Sequence, residues 1–401
     1  MIDRQACGLL PDKLHTALRV PERPGAAGSG APDGALLYEE MFTRGGFDGP
    51  FTAFYHLFAL PSQREPAASC RGPAATHADP DAARPLKRRL YDSGRLPSGG
   101  MLVDRRVPIL FNDDVAVLLA RPDTTDDVYF ANGDGDELWF VQEGSGRVES
   151  PCGWLRVESG DYVWVPRSMI HRWHVDAPMR LFGFEARGGV GIPEAYRNAV
   201  GQIRMDAPYG HRDFVRPAGP IASPGQPLEG PRELLVKKGG AVSRYALASP
   251  AMDVVGWEGT VYPVALAISK FQPKTSTVHL PPTVHATFSG RGFLVCSFVP
   301  RLVDYDPRAI PCPYPHSSVD CDEVILYLRG HFTSRRGALS SGAISLHPAG
   351  IAHGPHPGAY EASIGATRTD ELAVMCDTFS PLVPTPQAAN IEDAGYHESW
   401  R

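Results

Sequence analysis

The 401-residue sequence predicts a mostly β protein with few helices, made of short strands in a sandwich or barrel. Glycine (41) and proline (39) fill about a fifth of the positions, against averages of about 7% and 5%. Both residues disfavour helix interiors and populate turns. From 101 to 187, short apolar runs are separated by Gly, Asp or Pro, the pattern typical of antiparallel strands. A hydrophobic content of 43% predicts a packed core.

The strand pattern divides the chain into two domains, predicted at 1–240 and 241–401. In the first, a segment rich in Pro, Ala, Arg and Gly (61–100) predicts an irregular surface loop. Repeated Pro and Gly at 188–240 predict a long connector. In the second, β-rich sequence extends to about residue 382, and the tail beyond it is expected to be loosely held.

Charge and hydropathy argue against several classes of protein. A net charge of −6 offers no basic footprint for nucleic acid. No apolar run reaches the roughly 18 residues that span a bilayer, and the N-terminus lacks the basic and apolar regions of a signal peptide. The seven cysteines show no CxxC spacing, so neither a disulfide framework nor a zinc knuckle is expected. We therefore expect a soluble cytoplasmic protein that binds neither nucleic acid nor membrane.

The two predicted domains share an internal repeat. Residues 323–330 have six residues between Glu and Gly, and 342–353 have the pattern Gly-x5-Pro-x-Gly-x2-His. In the first domain, 137–144 repeat the Glu-x6-Gly spacing. Residues 160–171 repeat the second pattern, with Ser168 in place of the second Gly. Two matched pairs in the same order predict a duplication.

These spacings resemble the two motifs of the cupin superfamily, whose fold is a double-stranded β-helix or jelly-roll barrel. The resemblance predicts two cupin barrels. In the second copy His316 stands at the first His position, Ser318 replaces the second His, and Glu323 and His353 complete the set. Two histidines and one carboxylate on one face of a metal leave open positions, the arrangement of non-haem Fe(II) oxygenases. A structural zinc site would take four protein ligands.

The first copy is degenerate. It lacks a His upstream of Glu137, because the matching stretch 130–136 reads Phe-Ala-Asn-Gly-Asp-Gly-Asp. Glu137 and His171 would give two ligands at best. We therefore expect this barrel to be structural.

The chain resembles one cupin family more closely, the homogentisate 1,2-dioxygenases. The stretches that carry the resemblance in the second half are 292–306, 313–316, 323–331, 345–347, 353–355 and 369–375. In the first half they are 38–40, 46–47, 55–56 and 134–136, so most of the chain apart from 61–100 is covered.

That resemblance implies an iron-dependent dioxygenase that cleaves an aromatic ring, homogentisate to maleylacetoacetate in the family's own reaction. Its cofactor is Fe(II) and its co-substrate is molecular oxygen. The family's iron ligands map onto His316, Glu323 and His353, and a further His that contacts substrate maps onto His347. The resemblance also implies a homo-oligomer, a trimer or a hexamer.

Two positions depart from the family pattern. The typical Trp-His-Gly reads Trp257-Glu258-Gly259, and the typical Gly-His-Tyr ends in Phe332. A buried carboxylate can also accept a phenolic proton, so Glu258 and His347 are the predicted catalytic residues. The departures bear on the identity of the substrate more than on the type of reaction.

The predicted substrate pocket contains Tyr314, His331, His347, His285 and Arg301. An arginine could pair in bidentate fashion with a substrate carboxylate. Three alternatives stay open: cleavage of another aromatic acid (gentisate, hydroxyanthranilate or a biosynthetic intermediate), a metal-dependent cupin isomerase or epimerase, and a binding module without catalysis. The sequence contains no GxGxxG after a predicted strand, which fits a reaction without nicotinamide or flavin.

Overall fold

The computed structural model describes residues 2–14, 16–21, 34–44, 50–59, 67–68, 72, 86–277, 280, 282–306, 310–313, 320–330 and 339–400. These residues confirm the predicted fold class, because strands are by far their commonest regular element. The strands up to residue 215 are β1 (Gln5–Gly8), β2 (Tyr38–Thr43), β3 (Phe51–His56), β4 (Ala67–Ala68), β5 (Arg89–Asp92), β6 (Val107–Phe111), β7 (Val115–Ala120), β8 (Tyr129–Asn132), β9 (Asp136–Ser150), β10 (Gly153–Glu158), β11 (Asp161–Val165), β12 (Arg172–Ala186), β13 (Val190–Gly191) and β14 (Phe214–Val215).

The strands after residue 215 are β15 (Glu233–Lys238), β16 (Ala241–Ala246), β17 (Val254–Gly259), β18 (Val264–Ala267), β19 (Ala286–Gly290), β20 (Phe293–Phe298), β21 (Arg301–Leu302), β22 (Asp322–Arg329), β23 (Ala343–His347), β24 (Arg368–Thr369), β25 (Leu372–Thr378) and β26 (Val383–Pro384). The α-helices in the described ranges are α1 (Leu102–Arg105), α2 (Ala359–Ser363) and α3 (Pro386–Ala389). None of the helices in the described part of the chain has the length and apolarity that a bilayer crossing requires.

The first barrel is built on a nine-stranded sheet, ordered β14-β18-β11-β9-β12-β7-β6-β26 with β10 paired to β9. Its spine is the antiparallel pair of 15-residue strands β9 and β12. Most side chains of both strands are buried, among them those of Trp139, Phe140 and Phe182. Gly183 lies directly across from Trp139, where a Cβ would overlap the indole ring.

The second barrel is built on a seven-stranded sheet, ordered β13-β19-β20-β25-β22-β23-β5. Its central strand β22 has apolar, β-branched and aromatic residues that suit a half-buried strand. Antiparallel register places Glu323 of β22 opposite His347 of β23 and opposite Asp377 of β25. Directly opposed residues of neighbouring strands share one face of a sheet, so these three polar side chains stand on the same face.

The two halves of the chain exchange strands. After the predicted boundary at 240, β18 joins the first barrel beside β11, and β26 pairs with β6. In the other direction β5 and β13 join the sheet of the second barrel. One continuous hydrophobic core contains buried residues from both halves. The boundary stays a prediction, and the described strands cross it in both directions.

Two local predictions need correction. Part of the segment 61–100 lies outside the described residues, but β5 within it is a regular strand because Leu90 and Tyr91 are buried against the second barrel. The tail is also packed: Ile391 and Tyr396 are buried, and β26 is hydrogen bonded to β6. The apolar residues of both segments are too few to show a strand period, so the sequence pattern did not reveal their docking.

Candidate metal centre

Three ligand-type side chains converge in the second barrel: Glu323, His347 and His353. One carboxylate oxygen and one imidazole nitrogen from each histidine all lie within 4.8 Å of one another. Both histidine side chains are buried, while Glu323 retains 12% exposure. Two imidazoles and one carboxylate at such distances are a donor set that a divalent transition metal accepts.

Strand register and a tight turn bring these side chains together. Glu323 and His347 face each other across β22 and β23. The chain then turns at Gly350, whose φ of 80° lies in the left-handed region that favours glycine. The carboxylate of Asp322 fixes the turn, because it accepts hydrogen bonds from the backbone N–H of Ala349 and of Leu382, each at 2.7 Å.

The orientation of His353 follows from one hydrogen bond. Its Nδ1–H donates to the carbonyl of Ile351 at 3.0 Å. The Nε2 atom is therefore the one that faces the site, 3.9 Å from Oε1 of Glu323. A backbone carbonyl that fixes the tautomer of a histidine is the usual outer partner of a metal ligand.

His347 is held on both sides. Its Nδ1 lies 2.7 Å from Oε1 of Glu323, and because a carboxylate only accepts, Nδ1–H is the donor. Its Nε2 lies 3.1 Å from the hydroxyl of Tyr396, which comes from the 3-10 segment Tyr396–Trp400. In the neutral imidazole Nε2 accepts this hydrogen bond. The rings of His347 and His353 stack with their centroids 4.7 Å apart.

Asp377 stands next to Glu323 on the neighbouring strand. Burial and the nearby charge of Glu323 raise the pKa of Asp377 to about 7. Sequence reasoning missed this carboxyl group because only the pairing of β22 with β25 brings it beside the site. The missed Tyr396 likewise comes from a segment 49 residues beyond His347.

The structure brings together part of the predicted ligand set. Glu323 and His353 lie side by side as predicted, with His347 beside them. The third predicted ligand, His316, lies outside the described residues, as do Tyr314 and His331 of the predicted pocket. The converging set thus contains His347 where the predicted set contains His316.

The other predicted residues have partners elsewhere in the protein. Glu258 lies on β17 in a separate sheet, ordered β1-β17-β3-β2, and accepts a hydrogen bond from Arg4 at 2.6 Å. His285 packs between the rings of Phe271 and Phe298.

The guanidinium of Arg301 donates to the carboxylate of Glu371 at 2.8 Å. The roles of Glu258, His285 and Arg301 in catalysis or substrate binding thus stay predictions.

The fold and the donor set define a two-barrel cupin protein with a candidate metal centre in its second barrel. Residues 263–401 match the family model described as homogentisate 1,2-dioxygenase C-terminal, and 112–267 match the N-terminal model. The chain therefore belongs to the homogentisate 1,2-dioxygenase family, a family of oxygenases.

Individual relatives agree with this family. A protein of Saccharolobus solfataricus, provisionally named a dioxygenase, is 33% identical over 396 residues, which cover 98% of this chain and 97% of that one. The homogentisate 1,2-dioxygenase of Bradyrhizobium diazoefficiens is 27% identical over 296 residues, 69% of this chain and 63% of that enzyme. A cupin barrel protein from Leptotrichia buccalis covers 74% of this chain and 99% of its own at 8% identity. The TM-score of the two structures is 0.33.

Proposed function

We propose that this protein is a non-haem Fe(II) dioxygenase that opens the ring of a hydroxylated aromatic acid, with homogentisate as the first substrate to test. One observation carries the proposal: Glu323, His347 and His353 converge within 4.8 Å. They do so inside the region that matches the C-terminal model of the homogentisate family. The substrate and the iron are proposals, because the homogentisate enzymes align over less than two thirds of their length.

The donor set suits iron. Imidazoles and a carboxylate with open positions are typical of non-haem Fe(II) oxygenases. Glu323 and His353 belong to both possible ligand sets. His347 already donates to Glu323 and accepts from Tyr396, which favours His316 as the third ligand and leaves His347 to orient the carboxylate.

When bound, Fe(II) would supply the redox chemistry between the aromatic ring and dioxygen. The side chains around it would place charge and protons. His347 holds the Glu323 carboxylate through Nδ1–H. Its Nε2 atom, which accepts a hydrogen bond from the Tyr396 hydroxyl in this structure, can accept the phenolic proton of a substrate. Asp377 supplies a second carboxyl group beside Glu323. Burial of the two histidines keeps water away from these groups.

The proposed reaction on homogentisate gives maleylacetoacetate and places both oxygen atoms of O₂ in the product. Recognition of the substrate carboxylate would need a cation. Arg301 is the candidate from the sequence, and a substrate would have to compete with Glu371 for it. Gentisate, hydroxyanthranilate and related acids share the phenol and the carboxylate, so they are the competing substrates. A homo-oligomer and a cytoplasmic location are proposed on the same family resemblance.

Oxygen uptake tests the proposal. The full chain is purified without oxygen, loaded with Fe(II), and supplied with homogentisate, gentisate or hydroxyanthranilate in turn. We expect uptake with homogentisate, loss of uptake and of bound iron in Glu323→Gln, and wild-type behaviour in the surface control Glu143→Gln. Uptake only with another acid would contradict the substrate, and iron content unchanged by Glu323→Gln would contradict the site. Turnover of a substrate under argon would indicate an isomerase or epimerase instead.

A further inference from the structure

In the first barrel a guanidinium fills the place between the carboxylate and the imidazole. Glu137 and His171 stand at the motif positions that Glu323 and His353 occupy in the second barrel. The Nε2 of His171 lies 3.7 Å from Oε2 of Glu137, close to the 3.9 Å of the second barrel. Arg106, which follows α1, donates from Nη1 to Oε1 of Glu137. Its Nη2 lies 3.5 Å from Nε2 of His171.

The orientation of His171 repeats that of His353. Its Nδ1–H donates to the carbonyl of Met169, two residues earlier, at 2.9 Å. His353 donates to Ile351, also two residues earlier, at 3.0 Å. In both barrels Nδ1 therefore carries the proton, and Nε2, which carries the lone pair, is the nitrogen on the side of the carboxylate. A metal ligand needs this tautomer and orientation.

Of the two remaining motif positions, one contacts the guanidinium and the other contacts Glu137. With four residues before Glu137, the His-x-His positions of the motif fall on Phe130 and Asn132. The Cζ of Arg106 lies 4.3 Å from the centroid of the Phe130 ring. The amide of Asn132 donates to Oε1 of Glu137 at 3.0 Å. The guanidinium thus contacts residues at three of the four motif positions, where a metal-binding cupin would hold its metal ion.

The carboxylate of Glu137 depends on Arg106 for its compensating positive charge. The neighbouring buried carboxylate, Glu185, has its own cation, because Lys237 Nζ lies 2.6 Å from both of its oxygens. The side chains of Arg106, Glu137 and His171 are each 1% exposed. The charge of Arg106 also acts on the buried carboxyl group of Asp126. Removal of the guanidinium would therefore leave the buried carboxylate of Glu137 without its cation, where water reaches it poorly.

The protonation states match those of metal ligands. Although burial opposes it, the charge of Arg106 and hydrogen bonds from Trp139 and Asn132 hold the pKa of Glu137 at about 2. Burial, together with the charge of Arg106, lowers the pKa of His171, so its imidazole is neutral at pH 7. An ionised carboxylate and a neutral imidazole are the forms that bind metal.

We propose that Arg106 acts as a built-in cation at a metal-ligand site of the first barrel. Loss of its guanidinium then makes Glu137 and His171 available as ligands of a divalent cation, while the amide of Asn132 continues to donate to the carboxylate. Among the residues that the structure describes, the intact protein accordingly has one candidate metal site, in the second barrel. The inference concerns a different barrel from the proposed function and does not depend on ring cleavage.

Cobalt binding tests the proposal, with calorimetry and visible absorption on the full chain. All variants contain Glu323→Gln, which removes the carboxylate of the second barrel. We expect Arg106→Ala to bind one more Co²⁺ per chain than the parent, and His171→Ala to abolish that gain. Arg106→Lys keeps a cation in place and should gain none. Because the readout is the part of binding that depends on His171, residual Co²⁺ in the second barrel does not alter it.

Two results would overturn the proposal. One is a folded Arg106→Ala chain that binds no additional Co²⁺, and the other is Co²⁺ binding that depends on His171 while Arg106 is present. If Arg106→Ala unfolds without metal, circular dichroism decides: refolding in millimolar Co²⁺ that His171→Ala prevents supports the inference. Absence of such refolding counts against it.

Discussion

The two barrels present a carboxylate and an imidazole at the same motif positions but give them different partners. In the first, Arg106 lies between Glu137 and His171. In the second, Glu323 meets His347 and the neighbouring carboxyl group of Asp377. The motif thus fixes the geometry of a ligand pair, while a residue outside the motif decides whether the protein itself supplies the cation.

Backbone geometry is shared in the same way. The turn before His353 has Gly350 at φ 80°, and its counterpart before His171 has Ser168 at φ 63°. A left-handed conformation is uncommon for a residue with a side chain, so the first barrel keeps the turn even without the glycine. The two sites therefore differ in chemistry more than in shape.

Replacing the motif glutamate of each barrel by glutamine should change metal binding in one barrel and stability in the other. This is the largest expected effect. Glu323→Gln removes a proposed ligand, so bound iron and oxygen uptake should fall by at least about 100-fold while the protein stays folded. Glu137→Gln should leave the iron content unchanged. It should lower the stability by about 3–5 kcal/mol, because the buried Arg106 loses its charged partner.

Iron content and urea unfolding measured on both variants separate these effects. A fall in iron content in Glu137→Gln at full folding would break the proposed division of roles.

Tyr396→Phe probes the part of the second barrel that has no counterpart in the first. The change removes the hydroxyl that faces Nε2 of His347. Loss of one hydrogen bond of about 0.5–1.5 kcal/mol predicts a kcat that is lower by about twofold to twelvefold. Iron content should stay the same.

Tyr327→Phe is the matched control, since that hydroxyl contacts Ser345 and not His347. Equal losses in both variants would indicate a general effect on packing.

His56 is a further buried group that carries a positive charge, and its charge depends on pH. His56 lies between Asp253 (2.7 Å) and Glu40 (3.0 Å). Burial acts to lower its pKa, but the hydrogen bonds to the two carboxylates prevail and raise it to about 9. A pKa above the unfolded value of 6.5 means that this stabilisation is fully present below pH 6.5. It is lost as the pH rises through about 9.

Urea unfolding of the wild type and of His56→Gln from pH 6 to 10 measures this contribution. The difference between the two proteins should shrink with rising pH, whereas the contribution of Arg106 should stay constant because a guanidinium keeps its charge. A difference that does not change with pH would contradict the assignment for His56.

The sequence predicted the parts of the fold and site that depend on local spacing. The mostly β class, Glu323 and His353 all follow from short-range patterns. Arg106 could not be found this way, because it lies 31 residues before Glu137 and outside both motifs. Asp377 and Tyr396 reach the site only through strand pairing and the docking of the tail.

The strand exchange between the halves escaped prediction for the same reason. Strands β5 and β26 are short, and their pairing partners lie far away in sequence. Periodicity in a short segment indicates a strand at most, and it contains no information on which sheet the strand joins.

The most direct test of the two-barrel account is the number of metal ions bound per chain, measured by elemental analysis after loading with Fe(II) or Co²⁺. We expect one ion in the wild type, one in Glu137→Gln and none in Glu323→Gln. Two ions in the wild type, or one that is lost with Glu137 and kept without Glu323, would contradict it.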